Sequence, residues 1–300
     1  YDAVLVANGH HWDPNVPAFP GSFTGDVMHS HDYRTPDVLA GRDVIVVGIG
    51  NSGTDIAVEA AAHARSTVLS SRRSAHIVPR YIFGRPTDEY TSPGFSRMPV
   101  WMQRIPYRLM LWAARGRQRS YGVPEPRHKL LQEHPTLSEK LLDLVRDGQI
   151  IMKPNIERLG NGKVRFADGT ASRADLLIYA TGYRISFPFL PDDVITVKDN
   201  VIPLYRKVIH PARPGLFFMG LIQPLGAIMP LVEQQAEWVA RLLRGAPLPS
   251  KGEMHTSIAE DQDRLRKRYV DVPRHTIQVD YFPYKRLMEH EVETAERALA

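Results

Sequence analysis

Asp43-Val44-Ile45-Val46-Val47-Gly48-Ile49-Gly50-Asn51-Ser52-Gly53-Thr54-Asp55-Ile56-Ala57 decides the fold. The apolar run Val44–Val47, three of its four residues valine, is the pattern of a strand covered on both faces. Three glycines follow at Gly48, Gly50 and Gly53, and an alanine-rich helical pattern then runs to Ala64. Each glycine has its own reason. Gly48 can turn the chain tightly, Gly50 lets backbone approach a ligand, and Gly53 lets the new helix pack against the strand. The amides at that helix's N-terminus then face an anion. Strand, glycine loop and helix in this order predict binding of a dinucleotide pyrophosphate.

The next strand predicts which dinucleotide. The helix leads into Ser66-Thr67-Val68-Leu69-Ser70-Ser71-Arg72-Arg73. A site for NAD would carry an acidic residue near here, about 20 residues past the glycines, to bond the ribose 2′-hydroxyl. Two serines and two arginines stand there instead, which suits a 2′-phosphate and so NADP. A solvated basic turn is the plainer alternative.

Composition narrows the field. Three hundred residues suit one large domain or two of ordinary size, and a hydrophobic content of 43% is enough for real cores. The 38 basic and 33 acidic residues are dispersed and leave a net charge of +5, which gives no sign of nucleic-acid binding. With no cysteine there is no disulfide and no thiolate catalysis, and a reducing, cytoplasmic setting is expected. The start, Tyr1-Asp2-Ala3-Val4-Leu5-Val6-Ala7-Asn8-Gly9, reads as a strand already in progress, so a fragment of a longer protein is expected.

Strands and helices alternate over 43–70 as in a doubly wound parallel sheet. The pattern then breaks from Pro79 to Pro135. Within that stretch Trp101, Ile105, Leu109 and Trp112 recur at helical spacing, with Arg104, Arg108 and Arg115 between them. Such a helix can lie on a membrane surface, but it is expected to cover the domain's own core. Short strands return after Ile150. Ala174–Tyr183 echoes the opening stretch, each an apolar strand ending in Ala-x-Gly. These two are expected to be the crossings between two domains, one inserted in the other. Leu216–Leu221 adds a further buried strand ending at Gly220. The clustered histidines His10, His11, His29 and His31 lack the cysteines or spaced carboxylates of a metal site, so no metal is assigned.

Phe23-Thr24-Gly25-Asp26-Val27-Met28-His29-Ser30-His31-Asp32-Tyr33 fits F-x-G-x-x-x-H-x-x-x-Y. Followed by Gly48-Ile49-Gly50-Asn51-Ser52-Gly53, it resembles the flavin-containing monooxygenases. Ser70-Ser71-Arg72, Ala180-Thr181-Gly182-Tyr183, Phe187-Pro188-Phe189-Leu190, Leu204-Tyr205-Arg206 and Glu233-Gln234-Gln235-Ala236 extend the resemblance over most of the chain. The related Baeyer–Villiger enzymes usually carry Trp at the place of Tyr33. A non-catalytic NADP-binding module is the rival from another class.

The resemblance implies an α/β chain, a Rossmann-type NADP domain inserted into an FAD-binding domain that is incomplete here. Residues 1–40 would be part of the FAD domain and a connection, 41–175 the NADP domain with a helical insertion at 80–135, and 176–300 the remainder of the FAD domain and a tail. The family's own FAD fingerprint, and its asparagine beside the flavin, would lie upstream of Tyr1. Asn8 departs from the Thr usual at the first crossing. The implied reaction uses NADPH, FAD and molecular oxygen to oxygenate an amine or sulfide through a flavin hydroperoxide, with the sequence as written inactive alone. By the same resemblance Gly48, Gly50 and Gly53 hold the pyrophosphate, Asn51 and Ser52 sit beside the nicotinamide half, and Arg72 with Arg73 grips the 2′-phosphate. Thr181, Gly182 and Gln223 complete the implied cofactor contacts. No catalytic side chain is assigned.

Overall fold

The computed structural model describes residues 1–270, 272 and 275–300. They divide into two compact units. One comprises Tyr1–Asp13, Thr91–Met98 and Arg184–Ala300, the other Pro14–Tyr90 and Pro99–Tyr183.

The second unit is built on a five-stranded sheet in which Ile151–Lys153, Ser66–Ser70, Asp43–Val47, Leu176–Tyr179 and Asp26–His29 lie side by side. All four pairings are parallel. The central strand Asp43–Val47 is buried at every residue. Its side chains split by the two-residue period of a strand. Val44 and Val46 join one apolar cluster with Ile56, Ala57 and Ala60 of helix α1 (Asn51–His63) and with Leu141 and Leu142 of α3 (Leu141–Arg146). Ile45 and Val47 join a second cluster on the other face, with Ile156, Val164 and Phe166 of an antiparallel meander that ends at Arg173. Each fully buried Ile or Val contributes about 1.5–3 kcal/mol relative to an exposed one.

A charged junction pins the strands at their starting end. The Asp43 carboxylate accepts from Arg65 Nε (3.0 Å) and from the Ser66 hydroxyl (2.7 Å). Asp175 accepts from the Asp43 amide (2.9 Å) and from Arg65 Nη2 (2.7 Å). Hydrogen bonds from Arg65 above all hold the Asp43 carboxyl below its ordinary range.

Two expectations change. Ala174–Tyr183, expected as a crossing between two domains, instead supplies a strand, Leu176–Tyr179, inside this sheet, between Asp43–Val47 and Asp26–His29. A strand buried on both faces carries no local mark of which sheet it joins. The Phe23–Tyr33 connection likewise supplies that sheet's edge strand.

The second correction concerns helix α2 (Val100–Arg115). It buries only Tyr107 and Leu111. Trp101, Ile105, Leu109 and Trp112 are 63%, 54%, 62% and 64% exposed, so the apolar stripe expected to cover a core faces outward. Helical periodicity shows that a face exists, not what it meets.

The other unit holds a three-stranded sheet. Val4–Val6 pairs in parallel with Arg213–Phe218, which pairs antiparallel with Ile209–His210. Three helices follow: α4 (Met229–Leu243), α5 (Lys251–Arg268) and α6 (Tyr281–Leu299). Trp238, Met254 and Met288 share one core with Phe217 and Ile209. Helix α5 opens with a capping box between Ser250 and Glu253. Among the described residues no helix is long and apolar enough to cross a membrane.

Candidate cofactor site at the glycine loop

Parallel pairing brings the finishing ends of the central strands to one edge of the sheet, where ligands of open α/β sheets bind. The chain leaves Asp43–Val47 there through Gly48, whose φ of 119° favours glycine. The Gly48 amide donates to Ser70 O (2.8 Å), which sets the turn directly against the end of Ser66–Ser70. A β-carbon on Gly48 would stand under 3.0 Å from Ala180 O, and one on Gly53 under 3.0 Å from Gly48 O. A β-carbon on Gly50 would meet nothing within 4 Å. The first and third glycines thus allow the strand, turn and helix to close on one another, and the middle one faces open space.

Gly50 is also the N-cap of α1, in extended conformation, with no side chain capping it. The first bond back to it is Thr54 N–H to Gly50 O, 2.9 Å. The amides of Asn51, Ser52 and Gly53 ahead of that bond are those an α-helix cannot satisfy internally. Open space, the first amides of a helix and the positive end of its dipole together fit a pyrophosphate.

The loop is braced from a distant segment. The Thr136 hydroxyl donates to Ile49 O (2.7 Å), and the Leu137 amide donates to Asn51 Oδ1 (2.8 Å). Thr136–Leu137 is a short strand parallel to Ile77–Val78, and Thr136 is buried. No signal in the sequence marked Thr136, which lies 87 positions from Ile49. Ser52 borders an open groove of about 550 Å³ together with Ser30, Tyr33, Asp55, Glu59 and Lys140. There the Tyr33 hydroxyl donates to Glu59 Oε2 (2.6 Å), and burial first, then Glu59, raises the phenol far above its ordinary value.

The two arginines have different surroundings. Arg72 is exposed. Arg73 Nη1 lies 3.1 Å from Glu133 Oε1, a carboxylate only 5% exposed, with His128 Nδ1 at 3.7 Å. His76 stacks edge-on against His128 with ring centres 5.0 Å apart, and burial lowers its pKa to about 4. Thr181 and Gly182 follow Ala180, the residue against which Gly48 turns. The Thr181 hydroxyl donates to Asn15 O, and the Asn15 amide donates to Gly182 O (3.0 Å).

Gln223 belongs to the other unit. Its amide donates to Ile277 O (2.8 Å), in a short strand pair with Gln278–Val279. Nearby in sequence, Gly220 has a φ of 70° and donates its amide to Gln235 Oε1 (2.9 Å). Gln235 Nε2 donates to the Tyr284 hydroxyl (2.7 Å), which donates to Arg206 O (2.8 Å). Gln235 is fully buried, so this chain fixes the turn at the end of Arg213–Phe218 from within the core. Arg206 itself pairs with Glu291 at 2.7 Å, both largely buried.

The model of the family described as flavin-binding monooxygenase-like matches residues 1–297. Flavin-containing monooxygenase 5 of Oryctolagus cuniculus is 40% identical over 297 residues, covering 94% of this chain and 55% of that protein. The chain therefore spans about half the length of the curated relatives it matches. Among solved structures, S-allyl-L-cysteine S-oxygenase from Allium sativum superposes with a TM-score of 0.65 at 24% identity, over 97% of this chain and 54% of that one. Open cyclohexanone monooxygenase does so with a TM-score of 0.69 at 15% identity, over 99% of this chain and 73% of that one. At these identities the superpositions speak for the fold. On the family match over nearly its whole length, the chain belongs to the flavin-binding monooxygenase-like family.

Proposed function

We propose that this chain forms the NADPH-binding part, and a share of the FAD-binding part, of a monooxygenase that oxygenates soft nitrogen or sulfur nucleophiles. One observation carries the reading. The three glycines of the loop have three separate geometries, two closed against backbone and one open, as a bound pyrophosphate requires. Family membership and the likeness to flavin-containing monooxygenase 5 support the flavin and the reaction class. When bound, NADPH supplies hydride and the flavin passes the electrons to dioxygen, one atom of which goes to the nucleophile.

The protein's own work is to bind, orient and exclude water. The amides of Asn51, Ser52 and Gly53 would hold the pyrophosphate, and exposed Arg72 would pair with the 2′-phosphate in a charge-assisted contact. Arg73, already paired with Glu133, would contribute positive field and set the course of the strand end. Thr136 keeps the loop in place through Ile49 O. Thr181 and Gly182 follow the strand against which the loop turns, Gly220 follows Arg213–Phe218 in the other unit, and Gln223 begins the short strand beyond it.

The test is NADPH-dependent oxygen uptake by the native, flavin-loaded protein, offered a tertiary amine, a thioether or a cyclic ketone in turn. An N-oxide or sulfoxide is expected. Ester or lactone from the ketone alone would assign Baeyer–Villiger chemistry. NADP binding without flavin or oxygen uptake would leave a nucleotide-binding module.

A further inference from the structure

The turn Tyr205-Arg206-Lys207-Val208 carries two long side chains where its backbone favours much smaller ones. Arg206 and Lys207 have φ of 52° and 63°, and the Val208 amide donates to Tyr205 O (2.9 Å). Positive φ at both central positions is the tight hairpin turn in which Gly, Asn and Asp predominate. For Arg206 the surroundings give a reason. It pairs with Glu291 at 2.7 Å, and its carbonyl accepts from the Tyr284 hydroxyl (2.8 Å), so the turn is held firmly from the core.

Lys207 is placed differently. Its ammonium donates to Thr276 O (3.2 Å), and among the described residues no carboxylate pairs with it. The acidic group whose field reaches it is Asp261, which is itself paired with Arg264. Burial pushes the amine below its ordinary value, as expected of a cation withdrawn from water without a counter-charge. Backbone strain and an uncompensated cation at one position point to a function beyond folding.

That side chain borders a cavity of about 150 Å³. Val201, Ile202, Leu265 and Val270 give the cavity apolar walls, and Thr276 stands with Lys207 in its lining. Helix α5 closes one side through Gln262, Leu265 and Arg266. Arg266 is exposed and already paired with Asp263. An apolar cavity of about this size accepts one benzene ring.

Charge and shape together select the occupant. An ammonium can donate more than one hydrogen bond, so a carboxylate beside Lys207 would gain a charge-assisted contact and supply the counter-charge. Inorganic phosphate would bring no apolar body to cover the walls. A dicarboxylate would press its second charge against them, at a desolvation cost that nothing there offsets. We propose that this cavity binds a small organic monocarboxylate, with its carboxylate on Lys207 Nζ and its apolar body among Val201, Ile202, Leu265 and Val270.

The experiment is titration of the native, flavin-loaded protein with benzoate, with benzamide as neutral isostere and inorganic phosphate as bare anion, followed by calorimetry and thermal midpoint. Saturable binding of benzoate at one site is expected, with benzamide and phosphate at least tenfold weaker, the loss of one contact to a charged group. Lys207→Met keeps the length of the side chain and removes its charge. It should cut benzoate affinity at least tenfold, and its own midpoint should be no lower than the parent's, because an unpaired buried charge is gone. Benzoate should raise the parent's midpoint and leave that of the variant unchanged. Val201→Phe is the second variant if Lys207→Met misfolds. Val201 is 38% exposed, so a larger side chain there can fill the cavity without overpacking a core, and benzoate affinity should again fall at least tenfold. No binding of benzoate would overturn the proposal, as would benzoate bound equally by parent and variants. Benzamide bound as tightly as benzoate would leave an apolar pocket in which Lys207 has no part. Phosphate bound more tightly than benzoate, and lost in Lys207→Met, would reassign the site to an inorganic anion.

Discussion

A β-carbon on Gly53 would stand under 3.0 Å from the carbonyl oxygen of Gly48. That oxygen is backbone and cannot swing aside, so Gly53→Ala must push helix α1 away from the turn. Overpacking of this kind costs about 1–3 kcal/mol. Urea unfolding of the variant should show a loss in that range. A neutral substitution would mean that helix and turn are looser than this contact requires.

Thr136→Val keeps the shape of the side chain and removes the hydroxyl that Ile49 O accepts. The carbonyl is left buried without that donor, at a cost of about 1–3 kcal/mol. The same change should weaken NADP binding several-fold, because Ile49 stands between the first two glycines of the loop. Calorimetric titration and urea unfolding together check both. Unchanged affinity at reduced stability would limit Thr136 to a structural role.

Arg72 and Arg73 should not behave alike. Arg72→Ala removes an exposed guanidinium from the strand end, and a contact to a charged phosphate is worth about 1.5–3 kcal/mol. NADPH binding should weaken by roughly one to two decades with NADH binding almost unchanged. Arg73→Ala leaves the buried Glu133 carboxylate without that partner, so it should lower thermal stability and weaken both nucleotides together. Equal losses for the two nucleotides in the Arg72 variant would make that residue structural.

How far the sequence reached depends on distance along the chain. The glycine loop and the basic strand end were legible because each is a local pattern with a local cause: turn, helix start, strand end. The sheet to which Leu176–Tyr179 belongs was not, since its pairing with Asp43–Val47 joins residues more than a hundred positions apart. Thr136 escaped for the same reason. On helix α2 the periodicity marked a face correctly, but exposure depends on what the rest of the fold leaves uncovered. The pairing of Arg73 with Glu133 was hidden in the irregular stretch from Pro79 to Pro135.

Acid should weaken the glycine-loop unit through His76. Burial lowers its pKa to about 4, below the unfolded value of about 6.5. Between those values the unfolded chain binds a proton that the folded one refuses, so stability is full above about pH 6.5 and falls as pH drops toward 4. A shift of this size corresponds to roughly 3 kcal/mol. Urea midpoints measured from pH 7 to 4 should fall, and His76→Gln should flatten part of the decline. A parallel decline in the variant would move the cause to other groups, with Asp43 contributing in the same direction at lower pH because its pKa is depressed.

Nucleotide binding at the loop turns on Gly50. Its β-carbon would enter open space and its backbone is extended, so Gly50→Ala should fold as the parent does, with an unchanged thermal midpoint. The added methyl group then stands where a pyrophosphate must approach the amides of the loop. The decisive measurement is calorimetric titration of parent and Gly50→Ala with NADP⁺. Clear binding by the parent and a loss of at least a hundredfold in the variant are expected. NADP⁺ bound equally well by both would contradict that and place the nucleotide elsewhere on the chain.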